Sequence, residues 1–458
     1  MNTVLIFIIL LLALTSYLFG RKKAVEIGSS NKLKALPQFY GYYLAIWSAA
    51  PALIAFCLWS IFEPTIVKTY ILSDYVGNEY SDNAVRLIYE KVRALEAGHF
   101  TGNITNALER SAEKYRSVLE IASMAKFTIV LVLLVITLSF GYTQLIKNIP
   151  TREPTEKFVE YLLLFASFAA VMTTVGIIFS LLMQTLKFFQ VVNLFDFLTG
   201  THWYPAKTFV RDGMPDPELL RDAFGAVPLF AGTFFIALIA MCVAIPIGLL
   251  SGIYISEYGS RKFRVYAKPT IEILAGIPTV VYGFFAALTV GPFLKSVGDS
   301  IGLEVSAESA LAAGGVMGVM IIPFISSLSD DVMSAVPQNL RDGSFALGAT
   351  KSETIKKVVL PAALPGIVGS ILLAVSRAVG ETMIVVMASG LMANITLNPL
   401  DSTSTITAQI VTILIGDQQF GDPKTQAAFA LGMSLFVLTL LLNLIALGVV
   451  KRFREKYE

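Results

Sequence analysis

The sequence predicts an all-α membrane protein that crosses the bilayer nine times. Three observations predict it. Hydrophobic residues make up 55% of the 458-residue chain and charged residues only 15%, against about 25% charged in a typical soluble domain. Apolar runs recur along the chain at about the 20-residue length that a helix needs to cross a bilayer core. Lysine and arginine gather in alternate connections between those runs.

The first run is "VLIFIILLLALTSYLFG", Val4 to Gly20. No positive charge precedes it, and Arg21-Lys22-Lys23 follows. A secretory signal peptide has the reverse bias, so the run reads as an anchor with its N-terminus outside. Further runs fall near 41–62, 127–146, 158–186, 224–256, 269–294, 307–329, 361–394 and 426–450. The connections assigned to the cytoplasm hold Arg21, Lys22, Lys23, Lys32 and Lys34, then Lys147, Arg152 and Lys157, then Arg261, Lys262, Arg264 and Lys268. Later ones add Arg341, Lys351, Lys356, Lys357 and the tail "KRFREKYE". The short outside connections near 295–306 and 395–425 are poor in both residues, so alternation and charge agree on a cytoplasmic C-terminus.

Two outside segments are longer. In residues 63–126, Val85, Ile88, Val92 and Leu95 repeat at helical spacing, as do Tyr115, Val118 and Ile121. "GHFTGN", Gly98 to Asn103, supplies a turn between them, which predicts a small helical hairpin on the outer face. Residues 187–223, with "FLTGTHWYP", read as a loop. A boundary near residue 150, at "NIPTREPTEK", separates an N-terminal extension of three spans (1–150) from six C-terminal spans (151–458). Gly276-Ile277-Pro278 and Gly283 interrupt the run 269–294, where close helix packing is the simpler reading and a kinked, path-lining helix the other.

Several function classes recede at once. Cys57 and Cys242 sit inside apolar runs, as buried small side chains rather than a disulfide framework. His99 and His202 are far apart, and no His/Cys cluster has metal-ligand spacing, so no metal or other cofactor is implied. The net charge of +2 implies no nucleic-acid partner.

The stretch Ser334–Pro361, "SAVPQNLRDGSFALGATKSETIKKVVLP", is the most structured cytoplasmic connection. Pro337 suits the first turn of a helix and Gly348 its C-terminal stop. Thr350 and Glu353 form a T-x-x-E capping box for a second helix that ends at Leu360-Pro361. Gly343 and Gly348 have the spacing of a phosphate-binding P-loop, but Lys351 comes three residues after the second glycine instead of directly after it, and no strand precedes. The chain has no P-loop; if ATP drives it, another subunit hydrolyses the ATP.

Within the run 361–394 the only charges are Arg377 and Glu381, in "SRAVGETMIVVMASG". Each costs about 2–3.5 kcal/mol near the centre of a membrane helix, while an i,i+4 ion pair returns only about 0.2–0.5 kcal/mol on an exposed helix. Four residues apart on a membrane helix, both charges lie on one face, turned to the bundle interior or a wet pathway. The arginine fork matches phosphate bidentately. Glu381 could hold the arginine, accept a proton, or serve only as an interhelical partner that fixes packing.

The Ser334–Pro361 stretch resembles the EAA loop of ABC-importer permeases, E-A-A-x3-G-x9-I-x-L-P. Asp342-Gly343-Ser344 stands for the first triplet, Gly348 for the glycine, Val358 for the isoleucine, and Leu360-Pro361 closes it with intact spacing. "FLTGTHWYP", "FGAVPLFAGT", "ISEYGSRKFR", "IEILAGIPTVVYGFFA", "LGATKSETIKKVVLPAALPGI" and "SRAVGETMIVV" fall in the order seen in phosphate-transporter permeases of the PstC type, over roughly residues 158–458. The resemblance implies a type I importer (MetI-like) core of six spans in a bacterial inner membrane. It implies a cytoplasmic ABC ATPase docked on the loop, a second homologous permease of the PstA type, and an extracytoplasmic phosphate-binding protein. It also implies that Arg377 and Glu381 line the phosphate path. The outside segments 187–223 and 395–425 would receive the binding protein. The alternatives are a permease for another oxyanion (molybdate, sulfate or phosphonate) and, from a different class, an ion channel or membrane-embedded enzyme. The resemblance assigns residues 1–150 no role.

Overall fold

A computed structural model of the chain describes residues 2–30, 32–72, 89–95, 106–147, 149–205, 223–415 and 422–454. Among these residues, nine helices are long and apolar enough to cross a membrane. The chain forms two compact units, residues 1–172 and 173–458. The division falls inside the helix that begins just after the expected boundary at residue 150.

The first unit holds α1 (Asn2–Ser30), α2 (Pro37–Leu72), α3 (Asn106–Ile146) and the start of α4 (Arg152–Phe189). Leu5, Ile9, Ala52, Phe56, Val130 and Leu134 form the core between the first three. Near one end of that core Lys126 meets Glu63 at 2.6 Å, with the lysine 3% exposed. Beyond the pair lies a second cluster of Val67, Ile71, Val92, Leu108 and Tyr115. The second arm of the expected hairpin is therefore no separate element. It is the first third of α3, continuous with the membrane helix, and Tyr115 and Val118 face the cluster while Ile121 is exposed. Val85, Ile88, His99 and the Gly98–Asn103 turn lie outside the described residues.

In the second unit, α5 is Leu194–Thr199 and α6 is Val227–Ile253, prolonged by a π turn to Tyr258. Next come α7 (Arg261–Ala275), α8 (Thr279–Phe285), a π turn (Ala286–Val290), α9 (Gly291–Ser300) and α10 (Ala310–Ser334). Then follow α11 (Gln338–Ala346), α12 (Lys351–Thr354), α13 (Leu360–Val379), α14 (Met383–Ala388), α15 (Ile406–Ile415) and α16 (Pro423–Arg454). The centre is the crossing of α6 with α10. There a Cβ on Gly318 would stand 2.8 Å from the Ala240 carbonyl oxygen, and one on Gly252 would stand 2.9 Å from that of Ser326. Small residues let the two backbones touch, which substitutes dispersion contact for a hydrophobic drive that lipid cannot supply.

Four expectations change. The run 269–294 is not one span. α7 stops at Ala275, Pro278 caps α8 without offering an N–H, and the spanning helix runs Thr279–Ser300. Gly276 and Pro278 thus break the chain, while Gly283 does pack closely, with a Cβ there placed 2.8 Å from the Met387 sulfur. The run 361–394 is also broken, at Gly380–Thr382. The segment 187–223 is not a free loop where it is described: Phe188, Phe197, Trp203 and Phe224 form a buried aromatic cluster, with Trp203 Nε1 donating to Gln409 Oε1 at 3.1 Å. Finally, Cys57 and Cys242 are free thiols, exposed on their helices. An apolar run in a membrane need not turn every side toward protein, because lipid is equally apolar.

Candidate substrate path and coupling loop

α13 begins after a π turn and ends with Arg377 in its last turn, where a cation complements the helix dipole. Gly380 is the C-cap, so Glu381 stands beyond the helix. The two charges therefore do not share a helical face, and no salt bridge joins Arg377 to a carboxylate among the described residues. The side chain of Arg377 is exposed. Its guanidinium carbon lies 5.7 Å from the Phe324 ring centroid, and Nη2 lies 3.9 Å from the Met320 sulfur. These neighbours shield a cation without neutralising it.

Glu381 is 9% exposed. Its Oε1 accepts the Met383 N–H at 3.2 Å, at the start of α14, and its carbonyl accepts the Thr407 hydroxyl at 2.7 Å. The carboxylate thus satisfies an orphan donor at a helix start. α15, missed by the sequence reading because ten residues cannot span a bilayer, is the buried partner that makes the break possible. Gln409 on α15 donates to Leu391 O at 2.7 Å and to Ser404 Oγ at 3.0 Å, satisfying irregular backbone next to α14. Irregular backbone of this kind survives in membrane proteins where protein buries it or where it lines a cavity.

The loop after α10 follows its sequence signals closely at its turn. Pro337 is the N-cap of α11, one position earlier than expected. Gly348 has φ +82°. The Gly348 N–H reaches Phe345 O at 2.9 Å and the Ala349 N–H reaches Ser344 O at 3.2 Å, the paired bonds of a Schellman stop. Thr350 and Glu353 form the expected capping box, with the Glu353 carboxylate accepting the Thr350 N–H at 2.9 Å. The second helix does not end at Leu360-Pro361. It widens into a π turn over Ile355–Val359 and runs on as α13, so that residues Lys351–Val379 form one continuous helix. Proline lacks an N–H and crowds the carbonyl four residues back, and the wider turn, with the Leu360 N–H bonded to Ile355 O, accommodates both.

The residues matched to the E-A-A triplet sit on α11. Asp342 accepts from Gln338 Nε2 at 3.0 Å, Gly343 is exposed with open space around it, and Ser344 shares a hydrogen bond with Thr354 at 2.9 Å. Val358 is half-buried in the π turn, and Leu360 packs with Met333, Val336, Val359 and Ala363 while Pro361 opens α13. α11 itself buries no residue. Leu347, just past it, is 91% exposed. The loop therefore exposes Leu340, Gly343, Phe345, Ala346 and Leu347 among polar Gln338, Asn339 and Asp342, while staying continuous with the helix that carries Arg377. Sequence reasoning counted Arg341 only as a loop charge. In the structure its guanidinium reaches Glu257 at 2.8 Å and the Met333 carbonyl at 2.8 Å, a pairing 84 residues apart that no local pattern marks.

Nearby, Lys268 on α7 meets Asp330 and Asp331, each at 2.9 Å, and Asp330 is 5% exposed. Hydrogen bonds to Asp331 and Asp330 raise the Lys268 ammonium above the ordinary lysine range. α7 is thereby clamped to the end of α10.

Two family models match the chain. One, described as a phosphate ATP-binding cassette transporter, covers residues 6–171. The other, the binding-protein-dependent transport system inner membrane component, covers residues 244–455. Among relatives, the probable ABC transporter permease YqgH of Bacillus subtilis is 33% identical over 254 residues, 56% of this chain and 77% of its own. The phosphate transport system permease PstC 1 of Mycobacterium tuberculosis is 33% identical over 285 residues, 57% of this chain and 83% of its own. The corresponding PstC of Mesorhizobium japonicum is 30% identical over 273 residues, 56% of this chain and 79% of its own. Among solved structures, the inward-facing methionine ABC transporter MetNI aligns with 50% of this chain and 94% of its own at 20% identity, with a TM-score of 0.36. Taken with the nine spans and the loop that joins α10 to α13, the relatives show that this chain belongs to the binding-protein-dependent ABC-importer permeases, in the branch of the PstC transport proteins.

Proposed function

We propose that the chain is a membrane subunit of an ATP-driven importer of inorganic phosphate. It forms half of the translocation path, beside a second homologous permease of the PstA type. An extracytoplasmic phosphate-binding protein delivers the ion, and a separate ATPase supplies the energy by closing against the loop 334–361. The chain brings no ATPase site of its own. Its N-terminus lies outside and its C-terminus in the cytoplasm of a bacterial inner membrane.

One observation carries the substrate reading: the exposed guanidinium of Arg377, with no carboxylate partner among the described residues, at the mouth of a helix break whose other side is Glu381. A cation left uncompensated next to Phe324 and Met320 is costly until an anion arrives. Phosphate supplies that charge and can accept two N–H bonds from the fork. Glu381 shapes the break and holds α14, which fixes where the ion meets the chain.

The test is radiolabelled phosphate uptake into vesicles that hold the whole complex, with sulfate or molybdate as competitor. Phosphate uptake that neither competitor depresses is the expected result, and preference for molybdate or sulfate would overturn the substrate. Arg377→Gln should abolish uptake while membrane insertion and subunit assembly stay intact. Normal uptake by that variant, in cells lacking other phosphate transporters, would remove Arg377 from the path.

A further inference from the structure

α11 presents a problem of attachment. It is the helix on which an ATPase would push, yet it buries no residue, and Leu340 and Phe345, with Leu347 just past its end, are 48%, 45% and 91% exposed. Chain continuity ties it to α13 only through the Gly348 turn and α12. A push on such a helix would bend the turn before it moved a span, unless something stiffer joins α11 to the bundle.

Arg341 is placed to be that joint. Its side chain reaches back from α11 to three groups on two other helices. It donates to Glu257 in the π turn that ends α6, to the Met333 carbonyl at the end of α10, and to the Val336 carbonyl just beyond it. Arg341 and Glu257 are 13% and 10% exposed, so water screens the pair little. The carbonyls stand at the C-terminus of α10 and just past it, where a cation is favoured. Under the fork lies a shared apolar cluster in which Met333, Val336, Val359, Ala363 and Ile367 meet Leu249 and Ile253 of α6. The ends of α6, α10 and α13 are thus one packed body, and Arg341 fastens α11 to it. Ser344 adds one hydrogen bond to Thr354.

We propose that Arg341 and Glu257 are positioning residues for energy coupling, which transmit displacement of the loop to α6 and α10 as well as along α13. The proposal rests on the importer reading and deepens it. It requires a planar fork rather than a point charge, because one side chain must hold a carboxylate and two carbonyls at once.

The experiment uses the full complex of both permeases, ATPase and binding protein in proteoliposomes. The quantity read is ATP hydrolysed per oxyanion imported, for whichever of phosphate, sulfate or molybdate the unaltered complex imports. If that ion is not phosphate, the substrate reading fails while the ratio still tests the joint. Arg341→Gln and Glu257→Gln should each raise the ratio at least about 5-fold, the low end of coupling between linked sites. The ATPase should co-purify as in the unaltered complex. Because the two act as a unit, the double variant should be no worse than the poorer single one. Arg341→Lys, which keeps the charge and loses the fork, should fall between. An unchanged ratio in both single variants overturns the proposal. So does loss of the ATPase subunit from the purified complex, which would make the pair a docking contact, and so does an additive double variant.

Discussion

Arg377 and Glu381 show how much chemistry a sequence reveals without its geometry. Two charges in an apolar run stand out, because the cost of placing them there is set by lipid and not by any neighbour. Their relation was not legible. The i,i+4 spacing suggested a shared face, but Gly380 ends the helix between them. At the break the Glu381 carbonyl accepts the Thr407 hydroxyl from 26 residues away. The geometry separates the possible roles of Glu381. Its carboxylate accepts the Met383 N–H, a bond that a glutamine oxygen can also accept. Glu381→Gln should therefore retain uptake, whereas Glu381→Ala should lower the complex's thermal stability by about 0.5–2 kcal/mol, the usual cost of a lost helix-start acceptor, and uptake with it. Loss of uptake in Glu381→Gln at unchanged stability would instead assign the carboxylate a proton or a charge to carry.

At the scale of elements, local signals succeeded where local chemistry decides the structure. The capping box at Thr350 and Glu353 and the glycine stop at Gly348 are short-range devices, and both formed. The end of the second helix at Leu360-Pro361 was misplaced because proline usually closes a helix, and a π turn is invisible in composition. Gly348 lends itself to a clean test. Its φ is +82°, and an added Cβ would meet nothing within 4 Å. Any cost of substitution is then backbone strain alone, about 1–2 kcal/mol for a residue with a side chain. Asparagine tolerates the left-handed region better than alanine, and a β-branched residue tolerates it least. ATPase co-purification and uptake should fall in the order Gly348→Asn, Gly348→Ala, Gly348→Val. Equal behaviour of the three variants would mean that the turn re-forms elsewhere and the stop is not needed.

Over the whole molecule, the count of spans was legible because bilayer thickness imposes one length on every crossing. The nine candidate helices among the described residues follow the apolar runs, though α3 starts well before its run, at Asn106, and the Gly276–Pro278 break and α13 depart from theirs. The proposed orientation places the lysine- and arginine-rich connections inside. That assignment has a consequence that thiol labelling can read. Cys57 and Cys242 are free and exposed, so both must first be replaced by alanine. Leu36, Leu347 and Leu397 are 66%, 91% and 86% exposed, each in a connection between spanning helices. Six candidate spans, from Pro37–Ile71 to Ala310–Ser334, separate Leu36 from Leu347, and one more, Lys351–Val379, separates Leu347 from Leu397. A membrane-impermeant maleimide applied to intact cells should therefore label Leu397→Cys and spare Leu36→Cys and Leu347→Cys, and inverted vesicles should give the reverse. Labelling of Leu36→Cys and Leu347→Cys from opposite faces would show that one of the six intervening helices does not cross. Labelling of Leu347→Cys from outside would put the loop on the wrong face for an ATPase that binds ATP in the cytoplasm, and would remove the coupling role of α11 together with the orientation.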